Sequence, residues 1–390
     1  MPLTRTVHGL DTLGPLLPGP AAAVPAAANP MDEERLRQRV DSALSRFLDR
    51  QQATLESISP RLLPVAATLR DFLLDGGKRL RPAFCYWGWR GAGGDGLDEG
   101  AVAAAAALEL LQGGALVHDD LIDRSDTRRG LPAVHRRFEA MHAAEGWRGD
   151  GAQYGAASAV LLGDMLLVWS DELLADCGLD RAAVRRAKPL FDLMRTEVMA
   201  GQYLDLLEPA TAATAHPDVD GPIERARTVI HYKSAKYTVE RPLQLGGLLA
   251  GADPALVTAY GAFGLPLGEA FQLRDDLLGV YGDPAVTGKP AGDDLREGKR
   301  TLLVAEALAE CSAADARLID DLLGAPEPGE REIGLLRSVI TASGAPERVE
   351  ARITALLRES LGALDEASIA DERARRALHR LADAATARRY

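Results

Sequence analysis

Apolar residues recur every three or four positions along most of this chain, the period of a helix with one buried face. Leu36, Val40, Leu44 and Leu48 mark the first such face. Asp32, Glu33 and Glu34 stand at its start, where negative charge complements the helix dipole. β-Branched runs bounded by turns are scarce, and no internal repeat stands out. Glycine, proline and aspartate cluster at residues 91–100, 146–155, 209–222, 282–298 and 324–329. The pattern predicts helices of roughly 15 to 25 residues between these breaks, and therefore an all-α fold. None of the breaks has the composition of a flexible linker, so one helical domain is expected over residues 31–390. A disordered leader is expected over residues 1–30, where Asp11 and prolines 2, 15, 18, 20 and 25 interrupt any continuous apolar signal.

Composition narrows the function. The 390 residues carry 45 Lys+Arg against 57 Asp+Glu, a formal charge of −12, with 47% apolar and 5% aromatic residues. That balance describes a globular chain with neither a phosphate-backbone footprint nor base-stacking platforms, so nucleic acid is not an expected partner. The most apolar stretch, residues 101–117, is interrupted by Glu109 and Gln112 and reads as a buried helix, not as a transmembrane segment. Cys85, Cys177 and Cys311 are far apart and form no metal or disulfide pattern, which fits a reducing cytoplasm.

Candidate chemistry sits at two acidic helix ends. In LELLQGGALVHDDLIDRSDTRRG, Asp119 and Asp123 are four apart and Asp120 and Asp123 three apart, so a helix gathers them along one edge. A solvated acidic face explains such a pattern by itself. The apolar approach argues otherwise, because it brings these carboxylates out of the core, where a divalent cation such as Mg²⁺ would neutralise them. Asp275 and Asp276 follow a second apolar helical stretch, with Gly279 where a third carboxylate would stand. Short glycine-flanked cations lie around both: Lys78, Arg79 and Arg81, then Arg128 and Arg129, Lys233 and Lys236, Lys289, and Lys299 and Arg300. Each alone reads as a solvated face or helix cap. Together with paired carboxylates they call for a phosphate bridged by metal.

Taken in order, GGKRLRP, DDLIDRSDTRRG, GQYLDL, YKSAKYT, FQLRDDLLGVYGDP and GKPAGDDLREGKRT resemble the trans-isoprenyl diphosphate synthases, the polyprenyl synthetase family. The resemblance runs from about residue 40 to the C-terminal helices. It implies an isoprenoid synthase-like bundle around a central cavity, and a homodimer. It also implies that Asp119, Asp120, Asp123 and Asp275 bind Mg²⁺, with Asp276 completing the second motif. Lys78, Arg81 and Arg129, with Gln112, would hold isopentenyl diphosphate. Arg128, Lys233 and Lys289, with Lys299 nearby, would hold the allylic diphosphate, beside Ser234 and Gln272. Arg79, Lys236 and Arg300 are assigned no substrate contact.

The implied reaction ionises the allylic C–O bond, adds the π bond of isopentenyl diphosphate to the cation and loses a proton to the departed pyrophosphate. No side-chain nucleophile is required, which agrees with the lack of a Ser/His/Asp or Cys/His constellation. Product length depends on what lies beneath the first motif. Gly114 and Ala115 read either as an open channel, with Leu111 as its floor and a geranylgeranyl product, or as close helix packing. A class I terpene cyclase would share the fold and the first motif but would have no use for GGKRLRP. A metal phosphohydrolase built on His118-Asp119 would need further histidine ligands, for which His135 and His142 are the nearby candidates. A non-catalytic partner subunit would not be expected to keep Asp119, Asp120 and Asp123.

Overall fold

A computed structural model describes residues 33–211, 221–282, 292–326 and 328–387. The leader and Lys289 lie outside the described residues. The expected all-α fold is present. Its helices are α1 (Leu36–Ile58), α2 (Leu63–Leu74), α3 (Leu80–Gly91), α4 (Glu99–Ile122), α5 (Val134–Ala144), α6 (Gly151–Ala175), α7 (Arg181–Thr211), α8 (Pro222–Val229), α9 (Arg241–Ala250) and α10 (Pro254–Tyr281). They are followed by α11 (Asp293–Arg296), α12 (Leu302–Glu310), α13 (Ala313–Leu322), α14 (Glu330–Ala342), α15 (Ala345–Glu366) and α16 (Glu372–Thr386). Between α8 and α9 the chain winds into a π-helix, Ile230–Glu240, which the sequence pattern did not distinguish from an α-helix. Aspartates at the starts of three central helices supply the missing acceptors: Asp98 caps α4, Asp150 caps α6 and Asp253 caps α10.

Two hydrophobic cores share α10. The larger gathers α1 to α7 with α9, and includes Phe47, Trp87, Leu108, Phe191 and, from the first half of α10, Tyr260 and Phe263. The smaller gathers α8, α11 to α14 and the first half of α15 around Leu273, Leu277 and Val280 from the second half of α10, while the last helix, α16, packs into the larger. The apolar helix α4 runs through the larger core. It is long and apolar enough to cross a membrane, but 78% of its most apolar window is buried inside this fold. Its partner is α6.

Among the described residues one pair of short strands breaks the helical pattern. Thr127–Arg128 pairs antiparallel with Leu131–Pro132. The turn between them, Arg129 and Gly130, has φ of 55° and 77°, the left-handed conformation that a two-residue hairpin needs. This hairpin sends two adjacent arginines in different directions.

Candidate active site

The cavity where the motifs meet has a volume of about 640 Å³. Asp119 of α4 and Asp275 of α10 both line it, so the two acidic helix ends face one space. Around them lie Lys78, Arg81, Gln112, Arg128, Lys233, Ser234, Gln272 and Lys299, all expected from sequence.

At the first motif, helix geometry separates the three carboxylates. Successive residues turn by about 100°, so Asp119 and Asp123 share an edge while Asp120 points inward. Asp120, expected beside them as a metal ligand, is instead fully buried and accepts hydrogen bonds from Arg128 Nε, at 2.8 Å, and Nη2. It anchors the arginine that the hairpin delivers. Asp119 Oδ1 accepts from Gln202 Nε2 at 3.1 Å and lies 3.6 Å from Lys233 Nζ, and its Oδ2 is 3.5 Å from Arg128 Nη2. Lys233 Nζ also donates to Asp205 at 2.6 Å, while Lys299 Nζ sits 3.0 Å from Asp123 and pairs with Glu297. Burial alone would lower the pKa of Lys233, Lys299 and Arg128, but the surrounding carboxylates outweigh it and raise all three. These cations therefore stay charged at neutral pH.

Close helix contact brings Lys233 into this ring. A Cβ at Gly201 of α7 would stand 2.3 Å from the Lys233 backbone nitrogen, and one at Gly268 of α10 would stand 2.5 Å from Ala235 Cα. Glycine at both positions lets the π-helix press between α7 and α10.

The second motif is built differently. Asp276, 4% exposed, accepts from Gln272 Nε2 at 2.8 Å. Burial first, then the neighbouring Asp294, push its carboxyl up to about 8, with Asp275 and Asp205 adding and Gln272 opposing. Asp294 was not anticipated from sequence. A Cβ at Gly279 would lie 1.9 Å from Asp294 Oδ2, so a carboxylate from the next helix already fills the room beside the glycine. Asp119, Asp275 and Asp294 line one cavity, with Asp123 held beside it through Lys299, and such hard oxygen donors suit Mg²⁺. Among the described residues no three His, Cys, Asp or Glu side chains form a ready-made metal cluster. That agrees with cationic side chains occupying the first motif.

Beneath the charged mouth the wall turns apolar. Leu111, Ala115, Leu167, Val198, Met199 and Phe271 line it. Gly114 does not. A Cβ there would meet the Gly163 carbonyl oxygen at 2.9 Å and Leu167 Cδ2 at 3.0 Å, and one at Gly113 would meet Leu73 at 2.8 Å. The glycine pair thus serves close packing of α4 against α2 and α6, and the alternative of an open channel at Gly114 is not realised.

Several expected residues lie off the cavity wall. Arg129 turns toward the Asp75 carbonyl at 3.3 Å and packs beside Gly77. Arg79 is buried against Asp41 and Glu109, Lys236 pairs with Glu197, and Arg300 pairs with Asp320, so none of the three lines the main cavity, as expected, although Arg300 lines the small pocket beside it with Asp205 and Asp276. His118 does line the cavity, with Nε2 3.2 Å from the Val160 carbonyl oxygen and 3.5 Å from Asp164, while His142 packs among Trp147 and Tyr154, so among the described residues no histidine cluster forms for a hydrolase metal. The residues that sequence reasoning missed are Gln202, Asp205, Asp294, Tyr237 and Thr238. Gln202 and Asp205 are the polar members of GQYLDL, three apart on one helix face, and that spacing was the available signal.

A profile described as polyprenyl synthetase matches residues 64–338. A geranylfarnesyl diphosphate synthase of Aeropyrum pernix is 32% identical over 330 residues, 84% of this chain and 94% of that protein. A (2E,6E)-farnesyl diphosphate synthase of Mycobacterium tuberculosis is 34% identical over 271 residues, 69% of this chain and 68% of its own length. The crystal structure of a geranylgeranyl pyrophosphate synthase from Corynebacterium glutamicum, complexed with isoprenyl diphosphate and magnesium, superposes with a TM-score of 0.86 at 42% identity, covering 92% of this chain and all of that one. With six motifs in order and both acidic helix ends on one cavity, the chain belongs to the polyprenyl synthetase family of trans-prenyltransferases.

Proposed function

We propose that this enzyme condenses isopentenyl diphosphate with an allylic diphosphate and releases a trans-prenyl diphosphate one five-carbon unit longer, ending at geranylgeranyl diphosphate. The observation that carries the reading is the shared cavity of Asp119 and Asp275, charged at its mouth and apolar below.

Asp119, Asp123, Asp275 and Asp294 would hold Mg²⁺ at the allylic diphosphate pocket. Bound Mg²⁺ supplies positive charge that stabilises the departing pyrophosphate. Arg128, Lys233 and Lys299, fixed in the charged state by their carboxylate partners, add to that stabilisation in a site with little water, where charge is worth most. The C–O bond breaks and leaves an allylic cation. The π electrons of isopentenyl diphosphate, held by Lys78 and Arg81 with Gln112, form the new C–C bond. A proton then leaves to the pyrophosphate, so no side chain serves as base.

The apolar lower wall takes the growing tail. Ala115 lies four residues before Asp119 and Leu111 eight, which at the helix rise puts them about 6 Å and about 12 Å below the carboxylate. Ala115 leaves the first level open, and Leu111 is the floor consistent with a C20 product. Dimerisation through α6 and α7 is part of this reading, supported by exposed Leu161, Val168, Leu193 and Tyr203 on those helices. Free thiols at Cys85, Cys177 and Cys311 support a reducing cytoplasm.

Incubation with Mg²⁺, labelled isopentenyl diphosphate and each allylic starter in turn tests the proposal, with chain length read by chromatography. A C20 diphosphate is the expected end product. Hydrocarbon released from an allylic diphosphate alone would instead identify a cyclase.

A further inference from the structure

The π-helix contributes more than Lys233 and Ser234 to the site. Tyr237 and Thr238 lie four residues beyond them, on the same cavity-lining face, and both are buried, at 3% and 1% exposure. Each touches Arg81. The Arg81 guanidinium carbon stands 4.2 Å from the centre of the Tyr237 ring, and its Nη2 donates to Thr238 Oγ1 at 2.8 Å. Stacking restrains the plane of the guanidinium, and the hydrogen bond fixes its rotation within that plane. The Tyr237 hydroxyl plays no part in this. It is buried and meets no hydrogen-bond partner among the described residues.

We infer that Tyr237 and Thr238 are positioning residues for the isopentenyl diphosphate half of the site, holding the Arg81 fork in the orientation that receives the diphosphate, and that the aromatic face of Tyr237, not its hydroxyl, does so. The inference rests on the prenyltransferase reading and on Arg81 facing isopentenyl diphosphate. It gives the π-helix a second duty. One turn presents Lys233 to Asp119 and Asp205, and the next presents a platform to Arg81, so a single element couples the two diphosphate pockets. π-Helical segments are frequent at functional sites.

Steady-state kinetics on the full-length enzyme, with each substrate varied in turn, test it. Tyr237→Leu is expected to raise KM for isopentenyl diphosphate about tenfold, the size that a desolvated cation–π contact supports, with KM for the allylic diphosphate unchanged. Tyr237→Phe keeps the ring and is expected to restore KM to within about threefold of the parent. Because it removes an unpartnered buried hydroxyl, it should also melt no lower than the parent. Thr238→Val is expected to raise the same KM several-fold while Thr238→Ser restores it. Equal changes in both KM values, or a Tyr237→Phe enzyme as impaired as Tyr237→Leu, would overturn the inference. An enzyme that forms no condensation product in any form would instead overturn the reading beneath it.

Discussion

The two acidic helix ends look alike in sequence and differ in chemistry. At α4, every carboxylate already has a cation: Arg128 on Asp120, Lys233 beside Asp119, Lys299 on Asp123. At α10, Asp276 meets an amide from Gln272 and faces the carboxylates of Asp294, Asp275 and Asp205. The first end has each of its motif carboxylates paired before substrate arrives. The second holds a carboxyl, Asp276, that burial and its acidic neighbours push toward the neutral form, and it shares Lys299 with the first through Asp294, so a metal ion changes its charge state most. A clamp of this form needs both kinds, since a diphosphate has to be gripped by fixed cations and also bridged to protein carboxylates through ions that travel with it.

Removing a carboxylate from each end tests the contrast most severely. Asp119→Ala deprives Gln202, Lys233 and Arg128 of their shared partner and removes a metal donor at once, so turnover should fall by about 10³-fold or more. Asp275→Ala removes a donor but leaves the cation ring intact. Its loss should be smaller in kcat and should be partly recovered by raising Mg²⁺. Equal losses that ignore Mg²⁺ would mean that the two ends are equivalent.

A sharper test exchanges the positions of one carboxylate. Gly279→Asp forces a side chain into the space of Asp294 and should destabilise the fold by about 1–3 kcal/mol, visible as a lower melting temperature. Asp294→Gly alone should raise the Mg²⁺ concentration for half-maximal activity about tenfold, the effect of one lost metal partner. The double variant carries a carboxylate at 279 with room to hold it, and should regain most of both losses. If the double variant behaves as the sum of the singles, Asp294 does not stand in for residue 279.

Below the charged level the contrast reverses. Four residues before Asp119 stands Ala115, while four before Asp275 stands Phe271, and both line the cavity. The tail therefore has room on the α4 side. Ala115→Phe should shorten the product by at least one five-carbon unit, read by chromatography, with melting little changed. Gly114→Phe should chiefly lower the melting temperature, because the new ring strikes the Gly163 backbone and reaches the cavity only by displacing Leu167. A shortened product from a fully stable Gly114→Phe enzyme would restore the channel reading of that glycine.

The sequence carried the helices, the breaks and the charged residues, because each has a local signature. Period, glycine clusters and DDxxD spacing all act within a few residues. Tertiary placement decided the rest. Nothing local says that Gly114 faces α6 or that Asp294 returns to the side of Gly279, since both depend on contacts between separate elements. Asp120 was within reach: a turn of about 100° per residue already separates it from the edge that Asp119 and Asp123 share. The π-helix leaves no mark in composition, so Tyr237 and Thr238 read as an ordinary continuation of YKSAKYT.

Asp276 supplies the smallest test, and its sign follows from linkage. The folded carboxyl binds its proton up to about pH 8, well above the unfolded value near 4. The stability contributed by this tighter proton binding is full below about pH 4 and is lost as pH rises toward 8. Asp276→Asn mimics the neutral form at every pH. In the absence of metal it should melt close to the parent near pH 5 and above it at pH 9, by a margin of about 2–5 kcal/mol at most. Adding Mg²⁺ with a diphosphate should shrink the margin, because positive charge then favours the ionised carboxylate that asparagine lacks. A margin that stays constant from pH 5 to 9 would mean that the carboxyl is ionised throughout. The second acidic end would then be as well neutralised as the first, and the difference between them would vanish.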